Sequence, residues 1–140
     1  VIVREIIARL KAQASPPFAL VAGSADLAAL GSARPPALPA AYVFVSEEAA
    51  GENERVNAVL QRMEIDVCVV VVAGNVSDAH GGAAAADSEA LKRAVRAALV
   101  GWQPPSAEDV VTNVGGKLVR AAGGTVWWEL TFGTATYEGA

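Results

Sequence analysis

His80 is the one histidine of the chain, and with Ser77 and Asp78 beside it the residue types of a nucleophile, a base and an orienting acid are all present. They share a single glycine-rich turn, Gly74 to Gly82, and residues so close in sequence do not converge as a triad, so His80 reads as a solvated loop histidine. Glu64 and Asp66 fall on the same side of a period-two stretch and have the types for acid and base work. Arg62 on that side makes a surface charge ladder the simpler reading. Glu47, Glu48, Glu52 and Glu54 form the one acidic cluster, but without the alternating Asp/Asn ligands and central glycine of a calcium loop. With one His and one Cys, any metal site would have to be built almost wholly from carboxylates. Cys68 lies inside Asp66-Val67-Cys68-Val69-Val70, where a small buried thiol is expected, and as the lone cysteine it has no intrachain disulfide partner. The glycine pairs fit no dinucleotide fingerprint, and no Gly-Lys-Ser/Thr is present to cradle a phosphate. The expectation is a chain with no catalytic, cofactor-binding or metal site, which works by docking with other proteins.

Composition agrees with a folded docking domain. The 140 residues are 53% hydrophobic and 19% charged, long enough to bury a core as one domain, 1–140, without staples. Eleven Lys+Arg against 15 Asp+Glu leave a net charge of -4, opposite in sign to a protein that grips phosphates. The longest strand-like apolar run, Val67 to Ala73, is far short of the ~20 residues of a membrane-spanning helix. The N-terminal segment interleaves charges with apolar residues, unlike a signal peptide, and synthesis inside the cell is expected.

The elements that would carry these residues follow from periodicity. Ile2, Ile6 and Leu10 recur at helical spacing and predict an amphipathic helix over 1–14, ended by Ser15-Pro16-Pro17. Phe18 to Val21 suits a brief strand, Ser24 to Leu30 a helical turn or two, and 31–39, with three prolines, a connector. Ala41 to Val45 reads as a strand running into an exposed acidic loop, 46–56.

Residues 57–73 read as one long strand with a polar face in its first half and apolar faces on both sides in its second. Its fifteen residues 59–73 would extend about 50 Å, beyond what a domain this size accommodates, so part should bend or project, and projection would make a hairpin arm. A helix is predicted over 87–101, N-capped by Asp87 or Ser88, with Leu91, Val95, Ala98, Leu99 and Trp102 as its stripe and Lys92, Arg93 and Arg96 on a solvated face. A terminal hairpin follows, in which Val126, Trp128, Leu130 and Phe132 share one side. Trp127 is left on the other with Glu129 and Thr131, either under a loop or the other layer or against a neighbouring subunit.

The predicted architecture is α+β: a mixed, mostly antiparallel sheet of about four to five strands, two main helices on one face, and a projecting β-hairpin arm. The candidate subunit or partner contacts are Glu47, Glu48, Glu52, Asn53, Glu54 and Arg55 on the loop, Arg62 and Glu64 on the arm, and Trp127.

Taken in order, several segments resemble the tail terminator proteins of tailed bacteriophages and prophages. They are Ile2 to Leu10, Leu38-Pro39-Ala40-Ala41-Tyr42-Val43, Val70 to Val76, the helix Leu91 to Val100 ending in Gly101-Trp102-Gln103-Pro104, and Gly115-Gly116-Lys117-Leu118-Val119. The resemblance implies a virion protein, assembled in the host bacterial cytoplasm, whose ring, usually of six subunits, caps the tail tube and stops its polymerisation. Its implied partners are further copies of itself, the tail tube protein, the head connector or a neck protein, and a sheath if the tail is contractile. DNA would pass through the lumen without specific binding, which an acidic wall suits. The alternatives are another neck or head-completion ring protein, a small ligand-binding or enzymatic domain with its site at 74–86 and the terminal hairpin, and direct DNA binding through Lys92, Arg93 and Arg96.

Overall fold

The computed structural model describes residues 1–13, 17–74, 82–122 and 124–139. Along the chain run α1 (Ile2–Lys11), β1 (Leu20–Gly23), α2 (Ser24–Leu30), β2 (Ala40–Asn53), β3 (Leu60–Gly74), α3 (Gly82–Leu99), β4 (Thr112–Ala122) and β5 (Thr125–Gly139). The strands form one sheet in the order β1-β2-β3-β5-β4. Only the β1–β2 pair is parallel; the others are antiparallel, as the α+β reading expected.

The alternation along β3 decides how the layers stack. Val67, Val69 and Val71 face α1 and α3, joining Ile2, Ile6, Leu10, Leu91, Val95, Leu99, Leu130 and Phe132 in the main core. Val70 and Val72 turn the other way, where a smaller cluster with Ala40, Tyr42 and Trp127 is covered by Leu27 and Leu30 of α2 and by Leu38 of the proline-rich connector. The two main helices therefore share a face as expected, and α2 seals part of the opposite one. Arg9 fastens α1 to α3: its Nε donates to the Ala98 carbonyl at 2.9 Å while its guanidinium lies 5.0 Å from the Trp102 ring centre.

Three boundaries differ from the sequence reading. First, α3 begins at Gly82 and not at 87, because Ala83 to Ala86 are the strongest of helix formers and carry the helix upstream of Asp87 and Ser88. Second, 46–53 is not a loop but the continuation of β2, paired with β3 from Glu47↔Asp66 to Asn53↔Gln61. A strand exposed on both faces needs no apolar alternation, so pairing through backbone alone leaves no trace in composition. The true turn is 54–59, and β3 starts at Leu60.

Third, the arm has three strands. β5 runs past Phe132 to Gly139 and pairs with β3 down to Leu60↔Gly139. Its Thr134-Ala135-Thr136 stretch is buried, but with small and polar side chains that do not register as a core strand. The arm stands out as expected, with every residue from Ser46 to Val59 exposed, and β2 bends there through bulges between Val45 and Glu47 and between Ala50 and Asn53.

Candidate functional site

Glu47, Glu48, Glu52, Glu54 and Arg55 are all exposed on the arm, and none makes an ion pair among the described residues. Asn53 has a different task. Its Oδ1 accepts from the Leu60 and Arg55 amides at 2.8 and 3.3 Å, and its Nδ2 donates to the Ala58 and Arg55 carbonyls at 2.9 and 3.0 Å. One side chain thus shapes the arm's turn.

Arg62 bears out the charge ladder and enlarges it: its Nε lies 2.7 Å from Glu64 Oε1, and a second nitrogen pairs with Asp109 from the segment before β4. The guanidinium is held above its ordinary value, first by the hydrogen bond to Asp109 and then by that to Glu64. The ladder reaches across the arm's base to a residue 47 positions away, which no local pattern discloses.

Trp127 is only 7% exposed. It packs with Tyr42, Val70 and Val72, and its Nε1 donates to Thr125 Oγ1 at 3.3 Å. Of the two readings of this residue, the structure favours the intrachain one: a place beneath the second layer.

Lys92 corrects the reading of a solvated basic face. It is 5% exposed, its Nζ is 3.3 Å from the centre of the Trp128 ring, and it pairs with Glu89 at 2.7 Å. The long aliphatic stem lets a lysine lie buried beneath its own charge, which the aromatic face and the carboxylate then satisfy. Glu89 is held below its ordinary value by that hydrogen bond. With Lys92 engaged by Trp128 and Glu89, the Lys92, Arg93 and Arg96 trio loses a member for phosphate contact.

Cys68 is buried, its thiol facing Glu129 Oε1 at 3.5 Å and Thr131 Oγ1 at 3.6 Å. Among the described residues no group of His, Cys, Asp and Glu could hold a metal ion. Ser77, Asp78 and His80 lie outside the described residues, as does most of the 74–86 loop. Tyr42 sits beside an open hollow between α1, β1 and α2, with its hydroxyl held above its ordinary value by burial and then by Asp26. That hollow assembles no set of catalytic groups.

The sequence reading missed the outer edge of the sheet. β4 has a partner on one side only, and it exposes Val114, Leu118 and Val119 by 52 to 58%. These residues read as strand, but nothing local says that their strand is the last one. A second open edge runs along the arm, because β1 pairs only with Ala40 to Val43 and leaves the rest of β2 uncovered.

Such surfaces suit a protein that assembles, and the comparisons say of which kind. Residues 2–139 match the family described as phage tail terminator protein. The chain belongs to that family. The terminator family comprises structural proteins of the phage tail, not enzymes, and places this member in the virion in association with other tail proteins. Among solved structures, a chain of the "Virion of native gene transfer agent (GTA) particle" shares the fold at a TM-score of 0.56 and 16% identity, covering 95% of this chain and 92% of that one. No curated protein matches. In this terminator-family chain no helix among the described residues is long and apolar enough to cross a membrane.

Proposed function

We propose that copies of this chain form a ring at the head-proximal end of the tail tube, end its polymerisation and join the tail to the head connector, with DNA passing through the lumen. The family match over residues 2–139 carries this reading. The three-stranded arm supports it, since it presents Glu47, Glu48, Glu52, Glu54 and Arg55 away from the core, where exposed polar side chains serve contact and not folding. The net charge of -4 suits a conduit that must release its cargo.

The test is tube growth in vitro. Purified tail tube protein of the same phage, allowed to polymerise with and without this chain, should give short capped tubes in its presence and long ones in its absence. Unchanged tube lengths together with retention on immobilised head connector would assign the chain instead to the neck. A tight small-molecule ligand on a strictly monomeric chain would refute any ring.

A further inference from the structure

The two open edges of the sheet carry opposite charge. β4 holds Lys117 and Arg120 and no acid from Thr112 to Ala122, while β2 beyond Val43 holds Glu47, Glu48 and Glu52 and no base up to Asn53. Arg120 is turned onto the Trp127 ring and the Ser32 carbonyl, but Lys117 makes no ion pair among the described residues, even with Glu129 as its cross-strand neighbour. β4 offers a row of unpaired backbone groups along its outer side, and its register shifts at Asn113/Gly115 and Leu118/Arg120 leave Gly115 to Leu118 as the regular stretch that a further strand could pair with. Gly115 leaves the backbone bare, with nothing within 4 Å of where a Cβ would stand.

We propose that the β4 edge of one copy adds as a strand to the β2 arm of the next, setting Lys117 opposite Glu47 in an antiparallel, head-to-tail contact. The proposal rests on the ring reading above and specifies how the ring closes. A second copy is the occupant because both complementary edges belong to the same chain, and contacts between unlike patches on identical subunits generate rings where the rotation closes.

The side agrees, and the register sets Thr112 to Arg120 along the part of β2 that β1 leaves free, with Ala121 and Ala122 turning away from Val43 and Tyr42. β2 and β4 each run antiparallel to a neighbour such that continuing the sheet from β4 to β2 keeps the alternation of direction. Glu47 pairs with Asp66 and Lys117 with Glu129, and both partners point away from the α1/α3 core that Ile65, Val67 and Leu130 enter, so the two charges fall on one side.

The offset also gives a slope in the range of closed sheets. Within one copy Lys117 is level, through Glu129 and Val70, with Tyr42, which is four paired positions from Glu47. Setting Lys117 of one copy against Glu47 of the next therefore shifts the sheet by about 13 Å along the strands for each repeat of four strands, about 19 Å across. That slope inclines the strands about 35° to the ring axis, and sheets closed on themselves have strands tilted by 35–45°.

Two cysteines, in the double variant Lys117→Cys with Glu47→Cys, test the contact, because these positions lie on opposite edges of one chain and can join only between copies. Mild oxidation of the purified full chain should give a ladder of disulfide-linked oligomers ending in a closed species, while each single variant stops at dimers. In parallel, Lys117→Glu should weaken ring formation at least tenfold by native mass spectrometry with an unchanged circular dichroism spectrum, and adding Glu47→Lys should restore it. Rings of normal size with no ladder and no response to charge reversal would overturn the edge contact while leaving the ring reading intact. Absence of rings from the unaltered chain, even on tail tubes, would overturn both.

Discussion

Trp127 shows what a single position can and cannot disclose. Alternation along β5 sets it opposite Leu130 and Phe132, so its side of the sheet was legible, but its cover comes from α2 and the connector, about 90 to 100 positions earlier. Because that cluster is small, Trp127→Ala should cost about 3–5 kcal/mol in unfolding free energy by urea titration, the usual result of emptying an aromatic site. Lys92 taught the reverse lesson. Helical spacing placed it off the apolar stripe, yet the Trp128 ring draws it inward. Its partner Glu89 is a carboxyl held below its ordinary value, so the pair stabilises the fold at neutral pH and loses that contribution as pH falls through the lowered value. In Lys92→Met the Glu89 titration, followed by carboxyl NMR shifts, should move up towards the ordinary glutamate range.

The elements with one buried stripe or one buried side were readable, and those without were not. α1 and the inner half of β3 show their periods plainly, since burial selects apolar residues at fixed spacing. The outer half of β2 is exposed and held by pairing with β3, while that of β5 buries only the small or polar Thr134, Ala135 and Thr136, so their composition resembles a loop or a tail. Helix ends follow local chemistry more closely. After α3, Gly101 takes φ of +85°, a left-handed conformation that costs a side-chain-bearing residue about 1–2 kcal/mol. Gly101→Ala should therefore lower stability by that amount, measured by chemical denaturation, although no atom lies within 4 Å of the added methyl position.

For the molecule as a unit, β3 is the organising member: it pairs along its length with β5 and β2, and its two sides supply both cores. A chain in which both layers depend on one strand should unfold as one body. We expect far-ultraviolet circular dichroism and tryptophan fluorescence to give coincident urea transitions. A separate early fluorescence change, reporting loss of the α2 layer over Trp127, would instead divide the chain into two units. Opposite charges on the open sheet edges belong to this level as well, because neither edge exists until the strand order does.

Local chemistry alone was enough to leave no catalytic set as the expectation, to set the α+β class, to place the apolar sides of α1, β3, α3 and β5, and to show that part of a strand as long as the one read over 57–73 must bend or project. These are matters of spacing and residue type, which neighbours in sequence enforce. The third strand of the arm, the cover over Trp127, the Arg62–Asp109 pair and the exposed edge of β4 came only with the fold. Each depends on which segments lie side by side after collapse, and backbone pairing between exposed strands places almost no demand on the side chains that a sequence records.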